Sequence, residues 1–165
     1  RGLCTMRCRR KLRLPDFDYR GCHRYFMTVC TDAKRPLFRN ETLVKEVLGA
    51  LAEESVKSGF IVWGYCFMPD HLHLILEGQS MNADVQAFMK TFKQKTGFAY
   101  RRKSSAPDGK LWQSGYYDHV LRRDEDLQSV LQYVFNNPVR KQIVNRFMDY
   151  PYLGSFEVEL GSIEF

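Results

Sequence analysis

Two apolar runs, residues 60–67 (FIVWGYCF) and 71–77 (HLHLILE), are separated only by Met68, Pro69 and Asp70. Each run is short for a helix and rich in β-branched, aromatic and leucine side chains, so the pair reads as two strands joined in a hairpin. Successive side chains of a strand point to opposite faces, so Leu72, Leu74 and Leu76 share one face and His71 and His73 the other. The sheet built on this hairpin therefore has an apolar face that must be covered and a second face that carries two imidazoles.

The flanking sequence supplies the cover. Residues 23–31 (HRYFMTVCT) read as a further strand. From 41 to about 58, Val44, Val47, Leu48 and Leu51 recur at helical spacing, and Gly59 ends that helix. A second helix is expected from near Met81, with Val85, Phe88, Met89 and Phe92 as its buried stripe. Residues 110–122 read as extended, and Asp124 is placed to cap a third helix striped by Leu127, Val130, Leu131 and Val134. Pro138 disfavours helical geometry at Asn137, so this helix is expected to end about there.

The order strand, helix, strand, strand, helix, strand, then one further helix, predicts an α+β fold. It is a ferredoxin-like split βαβ (β-α-β-β-α-β) antiparallel sheet with helices on one face and an extra C-terminal helix. The other face is expected to stay open for that extra helix or for a ligand. The organisation expected is a basic arm at 1–20, one domain at 21–155 and a tail at 156–165.

Hydrophobic residues make up 44% of the 165, with 12 Phe and 9 Tyr, which excludes an intrinsically disordered chain. No apolar run approaches the roughly 20 residues that span a bilayer, and the N-terminus lacks the apolar stretch of a signal peptide, so no membrane partner is expected. Five scattered cysteines fit reduced thiols in the cytoplasm. Cys4 and Cys8 have the spacing of half a zinc site, with no second pair following at fitting distance.

The formal charge of +6 is unevenly placed: residues 1–40 carry +8 and the remaining 125 carry −2. Arg7, Arg9, Arg10, Lys11 and Arg13 form a basic arm suited to phosphate backbones, although a solvated tail has the same composition. A second tract, residues 88–103, holds Lys90, Lys93, Lys95, Arg101, Arg102 and Lys103 and no acid. Phe98 or Tyr100 could stack there on bases, while Phe88 and Phe92 read as core.

His71 and His73, with Cβ atoms roughly 6.5–7 Å apart along the strand, can converge on one divalent metal. The same spacing also suits two polar residues on a wet face. Tyr133 and Asn137 form an i,i+4 pair at the side of the third helix's apolar stripe. A phenol is a possible nucleophile and an amide oxygen a hard ligand, yet both also fit a core-edge tyrosine and a helix-terminal asparagine. Tyr116, Tyr117 and His119 are rivals in the extended segment.

Taken together, LPDFDYRGCHRYFMTVCT, WGYCFMPDHLHLIL, LWQSGYYDHVLRRDEDL, YVFNNPVRKQIV and the closing YPYLGS resemble the HUH single-tyrosine transposases, most closely the REP-associated tyrosine transposases. The resemblance covers about residues 13–155. It implies that His71 and His73 are metal ligands, that Tyr133 is the nucleophile, and that Asn137 occupies the place of a third ligand, where related insertion-sequence enzymes use Gln. It further implies a bacterial, cytoplasmic, nucleoid-associated enzyme using Mg²⁺ or Mn²⁺. Such an enzyme nicks and rejoins single-stranded DNA at hairpins with a flanking guide sequence, as a monomer or homodimer. Two other readings compete: a hairpin-binding protein that has lost catalysis, and a metal hydrolase in which the metal activates water.

Overall fold

A computed structural model of the chain describes residues 14–105, 109–122 and 127–163. In order come strand β1 (Arg24–Cys30), helix α1 (Glu41–Ser58), strands β2 (Phe60–Met68) and β3 (His71–Gly78), helix α2 (Val85–Lys103) and strand β4 (Tyr117–Leu121). Helix α3 (Leu127–Phe135), the short helix α4 (Asn137–Arg140) and the edge strand β5 (Leu153–Gly154) complete the set. The sheet is antiparallel throughout, in the order β4-β1-β3-β2-β5. This is the split βαβ arrangement with one strand added beside β2.

Strand β3 lies at the centre, and both neighbours set its register. β1 places Thr28 opposite His73 and Cys30 opposite His71; β2 places Cys66 and Met68 opposite the same two histidines. On one face Tyr25, Met27, Val29, Leu72, Leu74 and Leu76 form a core with Val44, Val47 and Leu51 of α1 and Phe88, Met89 and Phe92 of α2. The helices end where local chemistry stops them. Asn40 accepts from the Leu43 amide at the start of α1, and Gly59 takes a left-handed φ of 70° at its end. Helix α2 begins at Val85, later than the expected Met81, because the Asp84 carboxylate accepts from the Ala87 amide at 2.9 Å and caps it there.

The second face, expected to be left for the extra helix or for a ligand, is taken by that helix and forms a second core. Phe26, Cys66, Met68 and Ile75 alternate onto it and are buried against Leu131, Val134 and Phe135 of α3, and against Tyr150 and Leu153. Four apolar strand positions on one face require burial, and α3 provides it. Helix α3 docks closely because β2 has no side chain at the crossing: a Cβ on Gly64 would stand 2.7 Å from Leu131 Cδ2 and 3.3 Å from Phe135 Cζ.

Other expectations need correction. Strand β4 starts only at Tyr117; the earlier part of the extended segment crosses the end of β1, through a bridge between Thr31 and Trp112. Asn137 is not the last residue of α3 but the first of α4. The break falls at Asn136 (ψ −2°), and Pro138 sits in the first turn of α4, where its missing N–H is not needed. Packing also passes both expected domain boundaries, since Tyr19 is buried in the first core and Leu160 and Ile163 pack against the second. Cys22 and Cys66 are free thiols, whereas Cys30 is disulfide-bonded, against the expectation of reduced thiols throughout. Disulfides form where geometry brings two sulfurs together, which spacing in sequence does not reveal. The arm residues Arg7, Arg9, Arg10, Lys11 and Arg13, the Cys4/Cys8 pair and Asp124 lie outside the described residues.

Gly64→Ala should therefore destabilise the fold by about 1–3 kcal/mol through overpacking under α3. Gly49→Ala, on α1 with open space around the added methyl, should stabilise it by up to about 1 kcal/mol. Chemical denaturation of the two variants checks the contrast; equal effects would show that α3 does not rest on Gly64.

Candidate active site on the histidine strand

The turn before β3 is held from the end of β1. The Pro69 carbonyl accepts from the Phe38 amide, and the Asp70 carbonyl accepts from both the amide and the hydroxyl of Thr31, each at 3.0 Å. This leaves the Asp70 carboxylate beside His71, with Oδ1 2.6 Å from Nδ1. That hydrogen bond is the main reason the Asp70 carboxyl is held below the usual carboxylate range. Across the strand pair, the Thr28 hydroxyl lies 2.9 Å from His73 Nδ1. Both imidazoles are thus anchored through Nδ1, and their Nε2 atoms face each other at 3.1 Å.

A carboxylate can only accept, so Nδ1 of His71 is the donor in the Asp70 pair, and the Nε2 of a neutral His71 carries its lone pair. His73 is 4% exposed. Burial, and then the charges of His71 and Arg140, hold its pKa well below the usual 6.5, so it is neutral at physiological pH. The two Nε2 atoms stand at hydrogen-bond distance, so one can donate to the other; in the tautomer with the His73 proton on Nδ1, donated to the Thr28 hydroxyl, both present lone pairs to the same point.

The spacing fits a metal. Nitrogens bound to one ion at about 2.0–2.2 Å, with angles from octahedral to tetrahedral, stand roughly 2.9–3.5 Å apart. Asn137 is 5% exposed and its amide nitrogen is buried with no hydrogen-bond partner among the described residues. A turn of the amide exchanges its nitrogen and oxygen, so that same place can present an oxygen ligand. Among the described residues no group of three or more His, Cys, Asp and Glu could hold a metal. Any third protein donor from those residues is thus of another type, such as the Asn137 amide.

Tyr133 reaches this pair through one shared neighbour. The Phe26 ring stacks on His73 with centroids 5.4 Å apart, and meets Tyr133 edge-on at 6.0 Å. The Tyr133 ring is half-buried, and its hydroxyl has no hydrogen-bond partner among the described residues. The Arg140 guanidinium lies over the ring, 4.6 Å from its centroid. Of the rival tyrosines, Tyr117 shares the site's face, opposite Thr28 and 6.3 Å from Phe26. Tyr116 packs on the first core, with the Lys93 ammonium 5.9 Å from its ring. His119 pairs with Phe26 across β1 and β4.

The basic tract on α2 divides. Lys93 turns inward, donating to the carbonyls of Gln113 (2.9 Å) and Gly115 (2.6 Å), and burial lowers its pKa to about 8. Lys95 pairs with Glu54 and Lys103 with Glu46, both on α1. Lys90 and Arg101 are exposed, and Arg102 lies 5.8 Å from the exposed Phe98 ring. Phe98, Arg101, Lys110 and Trp112 line a groove of about 640 Å³. Tyr100, offered with Phe98 as a base platform, instead packs partly buried against the first core.

Sequence reasoning missed Thr28, Phe26, Asp70 as an anchor, and Arg140. Asp70 was visible as the residue before His71, and Arg140 in the Asn-Pro-Val-Arg string. Thr28 and Phe26 have no signal in sequence, since only strand register brings them to His73.

The family model for "Transposase IS200 like" matches residues 21–137, from ahead of β1 to the start of α4, and so takes in both histidines, Tyr133 and Asn137. The chain belongs to the IS200-like transposase family. Transposases are enzymes of DNA cleavage and strand transfer. This IS200-like transposase is 27% identical over 137 residues to a Haemophilus influenzae protein assigned to the REP-associated tyrosine transposases, covering 78% of this chain and 77% of that one. It is 23% identical over 93 residues to the REP-associated tyrosine transposase of Escherichia coli K12, covering 56% and 53%. The fold matches a solved REP-associated tyrosine transposase bound to a REP hairpin, with a TM-score of 0.69 at 19% identity over 86% of this chain and 82% of that one. A Deinococcus radiodurans structure assigned as a transposase matches at a TM-score of 0.53 and 18% identity, over 76% and 97%. No described helix of this transposase is long and apolar enough to cross a membrane.

Thr28→Val and Asp70→Ala, each removing an anchor from one imidazole, should weaken Mn²⁺ binding by about 10- to 100-fold. Calorimetric titration of the folded variants checks this; wild-type affinity in both would mean that the anchors do not orient a metal site.

Proposed function

We propose that this chain is a metal-dependent endonuclease and strand transferase acting on single-stranded DNA beside a hairpin, with Tyr133 as nucleophile. The observation that carries this reading is the 3.1 Å approach of two anchored Nε2 atoms, with Tyr133 one ring contact away through Phe26. His71, His73 and the Asn137 amide would hold Mg²⁺ or Mn²⁺. When bound there, a dication draws charge from the phosphate under attack and favours the phenolate.

The chain's own residues do the rest. Asp70 and Thr28 keep the imidazoles aimed, and burial keeps His73 neutral. Phe26 and the packing of α3 hold the Tyr133 ring, while its hydroxyl, without a partner among the described residues, stays available. Tyr133 Oη forms a bond to phosphorus as the bond from phosphorus to the 3′ oxygen breaks. The products are a 5′-phosphotyrosine and a 3′-hydroxyl; the phenol loses its proton and the departing oxygen gains one. The new ester conserves the energy of the old one, so rejoining needs no nucleotide cofactor.

For the DNA partner, a relative of the same fold is seen with a REP hairpin, which supports a hairpin here. Lys90, Arg101, Arg102 and Lys103 on α2 would follow phosphates together with Arg7, Arg9, Arg10, Lys11 and Arg13 of the arm, and the hairpin's flank would act as guide. Lys93, held by two carbonyls, would instead position residues 113–115. The protein would act in the bacterial cytoplasm on chromosomal repeats, as a monomer or a homodimer.

With Mn²⁺ and a labelled hairpin oligonucleotide with its flanks, the protein should form a denaturation-resistant adduct, visible as a shifted band. Tyr133→Phe should abolish the adduct, whereas the double variant Tyr116→Phe, Tyr117→Phe should keep it. Loss in the double variant with retention in Tyr133→Phe would move the nucleophile to Tyr117, which also touches Phe26. A wild-type chain that links to no hairpin in a diverse library would leave a binding protein instead.

Hairpin affinity should also fall steeply with salt, because each neutralised phosphate releases counterions. Removing residues 1–13 should weaken binding and flatten the slope of log affinity against log salt. An unchanged slope in filter-binding titrations would show that the arm makes no phosphate contacts.

A further inference from the structure

We infer that Arg140 is a catalytic residue that grips the scissile phosphate and neutralises its charge while Tyr133 attacks; this rests on the proposed function. Arg140 ends α4, seven residues after Tyr133, and is exposed. Its guanidinium carbon lies 4.6 Å from the centroid of the Tyr133 ring.

Arg140, like Arg39, Arg101 and Arg102, forms no ion pair among the described residues, but of these it alone lies against the candidate nucleophile. Arg20, Arg24, Arg35 and Arg146 each pair with a carboxylate, on Asp84, Glu77, Asp32 and Asp149 respectively. Arg140 has no carboxylate partner among the described residues. A guanidinium held over a ring through cation–π attraction can still turn N–H groups outward to a further acceptor. Two such groups match two oxygens of a phosphate in a bidentate pair. Arg140 is exposed and solvated when free, so it is available to an anion brought to Tyr133, and the anion of this reaction is the phosphodiester.

The placement follows from the backbone. A straight continuation of α3 would carry residue 140 onward along the same axis. The break at Asn136, followed by Pro138 in the first turn of α4, redirects the last turn and brings Arg140 over Tyr133. In the step proposed above, the non-bridging oxygens keep their charge while Tyr133 Oη bonds to phosphorus and the 3′ oxygen leaves. A fixed cation there stabilises the transition state without moving a proton.

The test compares wild type, R140A and R140K in single-turnover adduct formation with two hairpin oligonucleotides. One carries the natural phosphodiester at the scissile position, the other an uncharged methylphosphonate. On the diester, R140A should slow adduct formation by about 10²- to 10³-fold, and R140K, which keeps charge but loses the fork, by less. On the methylphosphonate the penalty of R140A should shrink to within about threefold, because the charge it answers is gone. Hairpin affinity and melting temperature of both variants should stay near wild type. Equal losses on both substrates, a loss matched by weaker hairpin binding, or no loss on the diester would each overturn the assignment. A wild-type chain that forms no adduct with the diester fails differently, by removing the proposed function on which the assignment rests.

Discussion

The pairing of β3 between β1 and β2 holds every later feature in place. Leu72, Leu74 and Leu76 are buried under α1 and α2, so His71 and His73 emerge on the opposite side. A slip of one residue would drive both imidazoles into an apolar core and turn three leucines outward. The same register puts Thr28 beside His73 and the end of β1 beside the Pro69–Asp70 turn. Each histidine thereby gains an oxygen partner on Nδ1, and the two Nε2 atoms are left facing each other. The facing histidine pair is thus a consequence of sheet pairing.

Helix α3 converts that strand pair into a site. Without it, Phe26, Met68 and Ile75 would be exposed next to the histidines, and His73 would be wet. With it, a second core forms, His73 becomes buried and neutral, and Tyr133 is carried to Phe26. Gly64 lets the helix come that close. The cost is visible in polar groups taken from water: Thr28 and His73 satisfy one another, while the Asn137 amide nitrogen has no partner among the described residues. A buried unpaired polar atom is expensive, which favours a site completed by another ligand.

The cations of α2 are divided between the fold and the surface. Several cations of α2 are spent on the fold, Lys93 on two carbonyls and Lys95 and Lys103 on acids of α1. Lys90 and Arg101 stay exposed, and Arg140 sits by Tyr133. The fold itself tolerates wide divergence: a structural relative matches at a TM-score of 0.69 with 19% identity. Alternation of apolar residues and a few close contacts specify such a sheet, and many sequences supply them.

The sequence by itself determined the order of elements, the hairpin, the face carrying His71 and His73, and the family resemblance. Periodicity of two or 3.6 is a local property, so α1 was legible to its ends, and β2 and β3 to within one residue. It did not determine the start of α2, where the Asp84 cap outweighs an apolar stripe, or the division of α3 from α4 at Asn136. It left open whether the extra helix or a ligand takes the second face, because burial there depends on α3, which lies about 60 residues downstream of the strand it covers. Only the tertiary structure decided which partners meet: Thr28 with His73, Phe26 with Tyr133, Lys93 with two carbonyls, Arg140 with the tyrosine ring. Those contacts join residues far apart in the chain or across a break in a helix, and they follow from packing, which no local pattern encodes.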